Sequence, residues 1–377
     1  MLPLPRQPES VCILRLSALG DATHVVPVVR AIQDHWPETR ITWIVGKLEH
    51  RLLAGLDGVE FIEYDKTGGM TATRALHETL RKRRFDVLLH MQVAARANLL
   101  SCLVRAPVRV GWDRPRSRDL HHRFIRDSVS AVPFQHQVQG FLEFTRALGV
   151  PVRAPRWDLP ISDEAHAWAL EQLGDDDPVL LISPCSSHPL RNWRAEYYAE
   201  VADRAARQSG LRVVLSGGPS ALEKEMAEAI ETRMQQPCLN LVGKDTLEQS
   251  KALLRRADLV ISPDSGPAHI ASALGTPVLG LYAATWSRRS GPYNSLHLCV
   301  DRYEEAARRF RKREATELRY DSHTSSPAAP NPGDTVDLTV TIANDGAVDA
   351  IDRPLEAGRH YFVVRRGGAA TQLAQSP

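Results

Sequence analysis

The chain is expected to fold as an α/β protein whose sheets are parallel and doubly wound. Three observations carry this. Short, mostly apolar runs at residues 11–16, 41–45, 61–64, 85–90, 179–182, 211–216, 259–261 and 278–282 have the length of strands buried on both faces. Stretches with helical spacing separate several of them, and strand–helix alternation marks a parallel sheet. At 377 residues the chain is also too long for one core, which calls for two domains and something extra.

Composition narrows the function. Hydrophobic residues make up 43% of the chain, a globular share, and Lys+Arg 47 against Asp+Glu 45 leave almost no net charge. Nothing in that balance demands nucleic acid, so an anionic partner has to be met locally. Residues 1–10 hold three prolines and no apolar run of signal-peptide length, and no later run is long enough to span a bilayer. Cys12, Cys102, Cys185, Cys238 and Cys299 form no Cys-x-x-Cys pair, which argues against a disulfide framework or a zinc site. The expected setting is the cytoplasm.

In the first half, residues 11–16 read as a strand, residues 17–21 as a turn, and residues 22–34 as a helix through Val25, Val28, Val29 and Ile32. Asp21 then stands at the C-terminal end of a strand, where open α/β sheets place ligands. Aspartate there also suits a simple helix cap. Strands at 41–45 and 61–64, a helix at 70–84 and a strand at 85–90 continue the alternation. Between Arg105 and Arg126 seven arginines face two aspartates, with His121 and His122 added. Such a run is ordinarily a solvated face. An acceptor rich in carboxylate or phosphate, or an anionic lipid surface, would also call for it.

Residues 151–160, with three prolines, form the expected linker. A helix at 163–173 follows, with Ser162 as cap, and then the strand 179–182. That strand runs into a loop carrying Ser186, Ser187, Arg191 and Trp193, where hydroxyls followed by a cation suit a diphosphate. A plain surface loop with a stacked Arg–Trp pair fits the same residues. The strand 211–216 ends in Gly217-Gly218-Pro219. No Gly-x-Gly-x-x-Gly or Walker motif occurs, which argues against dinucleotide and P-loop chemistry. At residues 259–282 a strand, the break Pro263-Asp264-Ser265-Gly266, Pro267 where a helix's first turn would accept it, a short helix at 268–274 stopped by Gly275, and a further strand follow in order. The unpartnered first amides of such a helix and its dipole make an anion site, with Asp264, Ser265 and His269 beside it. An ordinary βαβ unit capped by Asp264 or Ser265 fits the spacing too. Residues 302–319 read as a charged helix. Beyond Asp321 the chain turns rich in Ser, Pro, Ala, Asn and Gly, then alternates at Val336, Leu338, Val340 and Ile342 before the hairpin signal Asn344-Asp345-Gly346. A further strand is expected at residues 361–364.

The run Asp-Ser-Gly-Pro-x-His-x-Ala-x-Ala-Leu-Gly-Thr-Pro, from Asp264 to Pro277, resembles the nucleotide-sugar signature of glycosyltransferase family 9, which includes the ADP-heptose:lipopolysaccharide heptosyltransferases. Residues 16–21 resemble that family's opening motif, whose Gly-Asp aspartate is the proposed base. The loop before Trp193 is similar to one in which a lysine commonly neutralises phosphate; here Arg191 holds the place. Glu223 follows the Gly217-Gly218 segment later than the family's nucleoside-contacting glutamate, and plain helix surface is its alternative role.

The resemblance covers residues 11–310 and implies a GT-B architecture, two Rossmann-like lobes facing each other across a cleft. Residues 1–155 would form the acceptor-side lobe and residues 156–320 the nucleotide-sugar lobe with its closing helix, leaving 321–377 as linker and atypical β-prone tail. The implied reaction is inverting transfer of heptose from ADP-heptose to the inner core of lipopolysaccharide. Asp21 would be the base. Ser186, Ser187, Arg191, Asp264, Ser265, Gly266 and His269 would bind the donor, Asp264 through sugar hydroxyls or by ordering its loop. No metal and no cofactor are implied. The acceptor would be an anionic core lipid, which puts the enzyme in peripheral contact with the cytoplasmic face of the inner membrane. Alternatives are another sugar donor or an epimerase on the same fold, and a non-catalytic sugar-binding protein. Asp21 and the missing export signal count against the last.

Overall fold

The computed structural model describes residues 2–175, 177–311, 341–342, 363–366 and 369–372. By its internal contacts the chain divides into two units, Met1–Pro160 and Ile161–Pro377.

The first unit holds strands β1 (Ser10–Leu14), β2 (Arg40–Gly46), β3 (Val59–Tyr64), β4 (Val87–His90), β5 (Val108–Gly111) and β6 (Asp127–Ser128). Its helices are α1 (Leu19–His35), α2 (Lys47–Leu53), α3 (Gly69–Leu80), α4 (Ala95–Ser101) and α5 (Gln137–Leu148). The sheet runs β3-β2-β1-β4-β5-β6 with every pairing parallel. The order reverses between β1 and β4, and a crevice opens outside the C-terminal ends of strands at such a point. Both strands are buried along their whole length, as their apolar runs require. Cys12, Leu14, Ile44, Ile62 and Leu88 form a core with Leu76 and Leu80 of α3 and Leu100 of α4. The linker expected at 151–160 has no regular structure, yet it is anchored to this unit. Trp157 and Leu159 are buried, and Arg156 pairs with Asp34 of α1 at 2.6 Å.

The second unit repeats the plan. Its strands are β7 (Val179–Ile182), β8 (Arg212–Leu215), β9 (Cys238–Asn240), β10 (Leu259–Pro263), β11 (Val278–Tyr282) and β12 (Val300–Asp301). Its helices are α6 (Asp163–Leu173), α7 (Ala195–Ser209), α8 (Ala221–Arg233), α9 (Leu247–Arg256), α10 (Gly266–Ala273), α11 (Ser287–Ser290) and α12 (Tyr303–Arg311). The order β12-β11-β10-β7-β8-β9, again all parallel, reverses between β7 and β10. The two sheets share a device at their switch points. Asp86, just before β4, accepts the N–H of Ser10 at 2.9 Å, and Asp258, just before β10, accepts the N–H of Val179 at 2.8 Å. Ser162 caps α6 as expected, its hydroxyl accepting the Ala165 N–H at 3.2 Å.

Three short strands complete the described residues. β13 (Thr341–Ile342) pairs parallel with β14 (Val363–Arg366), which pairs antiparallel with β15 (Ala369–Gln372). The strand expected at 361–364 thus falls at β14. The hairpin signal Asn344-Asp345-Gly346, the linker composition of the tail and the second half of the charged helix at 302–319 lie outside the described residues. No helix of the described chain is long and apolar enough to cross a membrane.

A buried polar network fixes the segment after β5. His90, at the end of β4, and His121 both lie 2.9 Å from Asn98 Oδ1 of α4, and His121 Nε2 accepts the Trp112 N–H at 3.1 Å. These contacts set the tautomers. Asn98 Oδ1 can only accept, so His90 carries its proton on Nε2 and His121 on Nδ1, and both rings are neutral. Gly111 makes room for the arrangement, because a Cβ there would meet Ile125 at 2.4 Å and His121 Nε2 at 2.5 Å.

Candidate active site

Asp21 was expected in a loop after the first strand. It lies instead in the first turn of α1, which begins at Leu19, because its carboxylate serves the helix from inside. Oδ2 accepts the Ala18 N–H at 3.3 Å, satisfying one of the amides a helix start leaves open, and takes a second hydrogen bond from Arg15 Nη2 at 2.5 Å. Arg15 is itself held, donating to the Met91 carbonyl at 2.7 Å with its guanidinium 5.2 Å from the centre of the Phe141 ring. Gln92 closes the arrangement, accepting the Leu16 N–H at 2.7 Å and donating to Ser17 Oγ at 3.0 Å. Residues from the ends of β1 and β4 therefore converge at the switch point. Among the described residues none hydrogen-bonds Asp21 Oδ1, and the side chain is 28% exposed. Capping and an available carboxylate oxygen coexist in one residue.

In the second unit the equivalent point gathers the loop after β7 and the loop after β10. Arg191 Nη1 lies 3.6 Å from Asp264 Oδ2, and His269 Nε2 lies 3.4 Å from Asp264 Oδ1. Burial alone would push the Asp264 carboxyl up. Hydrogen bonds from His269 and Thr285 and the charge of Arg191 outweigh it and hold the carboxyl below the ordinary aspartate range. Asp264 is thus an ionised acceptor between two basic side chains, with no proton to offer a phosphate oxygen. Neither of the expected side-chain caps of α10 forms. Asp264 is engaged as described, and Ser265 turns its hydroxyl to Ser262 Oγ at 2.7 Å. Gly266 opens the helix and Pro267, at its second position, has no N–H to lose there.

The two serines before Arg191 differ. Ser186 is buried and works within its own loop, its N–H donating to Asn192 Oδ1 at 2.7 Å and its hydroxyl lying 2.9 Å from the His188 carbonyl. Ser187 is exposed. Glu223 is neither free nor plain surface. Its Oε1 accepts the Gly218 N–H at 2.7 Å and its Oε2 the Ser220 hydroxyl at 2.5 Å, which folds the Gly217-Gly218 turn onto the start of α8. Beside it, burial and the nearby Glu223 charge push Asp245 up to about 6.

The basic stretch divides in two. Arg109 donates to the carbonyls of Phe124, Val104 and Ser101 at 2.8–3.0 Å, Arg116 pairs with Asp113 and stacks on Trp112, and Arg126 reaches the Pro107 carbonyl. These arginines hold the segment together. Arg105, Arg114, Arg118 and Arg123 are exposed, as is Arg126 despite its backbone contact. Sequence reasoning missed the side chains that hold the candidate residues: Arg15, Gln92, Asn98, Asn192 and Thr285. Gln92 reaches Leu16 across 76 residues, a proximity that no motif spacing records, whereas Arg15 and Asn192 lie six residues from Asp21 and Ser186 and were passed over because neither spacing is a known motif.

Two doubly wound parallel sheets, β3-β2-β1-β4-β5-β6 and its equivalent β9-β8-β7-β10-β11-β12, are the pair of Rossmann-like lobes of which the GT-B class of glycosyltransferases is built. The model of glycosyltransferase family 9 (heptosyltransferase) matches residues 73–320. Lipopolysaccharide core heptosyltransferase OpsX of Haemophilus influenzae is 41% identical over 311 residues, covering 82% of this chain and 89% of that protein. A family 9 glycosyltransferase structure from Veillonella parvula superposes with a TM-score of 0.70 at 24% identity, over 78% of this chain and 85% of that one. The structure of E. coli heptosyltransferase WaaC with ADP gives 0.63 at 21% identity, over 78% and 93%. The chain belongs to glycosyltransferase family 9.

Proposed function

We propose that this enzyme transfers heptose from ADP-heptose to a sugar hydroxyl of the lipopolysaccharide inner core, with inversion at the anomeric carbon. In this reading residues 1–155 take the acceptor and residues 156–320 the donor. The acceptor hydroxyl attacks the anomeric carbon and gives its proton to Asp21 Oδ1. The bond from that carbon to the β-phosphate oxygen breaks, and ADP leaves with the electron pair. Arg191 and the uncapped amides of α10 meet the charge that grows on the diphosphate. Asp264 accepts from heptose hydroxyls and aims Arg191 and His269. The enzyme works in the cytoplasm, at the inner membrane that carries its acceptor.

The observation that carries this reading is the placement of Asp21 and of the Arg191–Asp264–His269 group at the two switch points, in a chain 41% identical to a lipopolysaccharide core heptosyltransferase. The direct test is ADP release from ADP-heptose in the presence of heptose-free core lipid. Release with a different nucleotide sugar, and none with ADP-heptose, would reassign the donor. Arg191→Ala is expected to weaken ADP binding about 10- to 100-fold, since a charge-assisted hydrogen bond contributes about 1.5–3 kcal/mol. Calorimetric titration with ADP measures it, and unchanged affinity would take Arg191 out of the donor site.

A further inference from the structure

The large hydrophobic side chains exposed among the described residues are Leu48, Met70, Leu99, Leu120, Val132 and Phe134, all in the first unit. Four of them fall within residues 99–134, the stretch that also carries the basic run. Leu99 is 65% and Leu120 55% exposed. Hydrogen bonds bring their backbones together, because Asp119 Oδ2 accepts the Ala95 N–H at 2.9 Å and Asn98 Nδ2 donates to the Asp119 carbonyl at 2.8 Å. The same Asn98 anchors His90 and His121, so the tip of the turn stands on a buried, rigid support. The backbone at that tip is left-handed, with φ of 49° at Asp119 and 59° at Leu120. An L-residue is strained there, and a leucine whose side chain points into water returns nothing to the fold. Arg105, Arg114, Arg118 and Arg123 are exposed in the same stretch.

An apolar tip held out on a rigid support, in a stretch of chain whose exposed charges are mostly arginine, matches the chemistry of one surface, a bilayer with anionic headgroups. We propose that the α4 and 118–123 surface docks on anionic lipid, with Leu99 and Leu120 entering the boundary between headgroups and acyl chains and the arginines meeting lipid phosphates. The inference rests on the reading that the acceptor is carried by a lipid. Docking there would hold the Asp21 end of the sheet near membrane-borne acceptors, because α4 follows β4 on the same C-terminal edge from which α1 follows β1.

Sedimentation of the full chain with phosphatidylcholine vesicles, with and without added phosphatidylglycerol, tests it. Binding is expected to the anionic vesicles alone and to weaken with salt. Leu99→Glu with Leu120→Glu is expected to lower partitioning roughly tenfold or more, and Leu99→Ser with Leu120→Ser to lower it less. Both side chains are exposed, so thermal melts should stay at the wild-type value. Transfer to a delipidated core oligosaccharide should hold steady while transfer to vesicle-embedded acceptor falls. Wild-type protein that ignores anionic vesicles, or variants that partition like wild type, would overturn the docking surface. Retained transfer by Asp21→Asn with vesicle binding intact would instead overturn the reading of the chemistry.

Discussion

Asp21→Asn is expected to lower kcat by roughly 10²- to 10⁴-fold, the usual worth of a general base, while ADP binding stays nearly unchanged. The substitution is close to isosteric. The amide oxygen can still accept from Arg15 and Ala18, as Oδ2 does now at 2.5 and 3.3 Å, so the start of α1 should remain capped. What disappears is the negative charge and the proton-accepting capacity of Oδ1. A stopped assay of ADP release, run beside an ADP titration and a thermal melt, separates the possibilities. Loss of turnover with normal melting and normal ADP affinity fits the base. Near-normal turnover would reduce Asp21 to a helix cap. A lowered melting temperature accompanying the lost activity would mean that the asparagine had rotated and the Arg15 contact had failed.

Acidification is expected to destabilise the protein through the His90–Asn98–His121 network. Burial pushes His90 down to about 3 and His121 down to about 4, each helped by a neighbouring imidazole's charge. The geometry agrees, since a proton on His121 Nε2 would confront the Trp112 N–H, and His90 Nδ1 is buried with no hydrogen-bond partner. In the unfolded chain both histidines take up protons near pH 6.5, whereas the folded chain resists until about pH 4. The unfolded state therefore binds more protons across that window, and folding stability falls as pH drops through it. Each histidine costs about 1.4 kcal/mol per pH unit, so pH 5 should remove on the order of 3–4 kcal/mol, a large part of a typical domain's 5–15 kcal/mol. Melting followed from pH 7 to 5 reads this directly. Asn98→Asp supplies a carboxylate that would stabilise an imidazolium, and it should flatten the acid dependence while lowering stability at pH 7. A wild-type melting temperature that does not move between pH 6.5 and 5 would refute the network's role.

Legibility in the sequence followed how local each cause was. Val179–Ile182 and Asp163–Leu173 fall where an unbroken apolar run and a serine cap put them. The helix at Gly266–Ala273 begins two residues before its expected start and Gly275, at φ +83°, stops it as foreseen. The start of α1 was misplaced because a Gly-Asp pair looks like a turn until the carboxylate is seen bonding back to Ala18. Strand β5 escaped notice because Arg109 interrupts its pattern, and only the structure shows three backbone carbonyls absorbing that charge. Helices α5 and α7 were not singled out, and α8 and α9 went undelimited although Ser220–Glu223 and Thr246–Gln249 carry the spacing of a helix start. The candidate site divides in the same way. Asp264 and His269 are five residues apart and readable as a signature, whereas Arg15 reaches Met91 across 76 residues of chain.

The central pairings bear on how the protein comes to be folded during synthesis. In each unit the first strand lies in the middle of its sheet, and one of its neighbours arrives only after a long intervening stretch, 76 residues from Ser10 to Asp86 and 79 from Val179 to Asp258. The emerging chain can pair β1 with β2 early. The other edge of β1 then stays open until β4 is made, and β7 meets the same delay with β10. Topologies this rich in distant contacts fold slowly, because the entropy of closing the intervening loop is lost before the strand pair forms. For that interval two of the most apolar strands in the molecule have an unpaired edge, which makes half-made chains a natural substrate for chaperones.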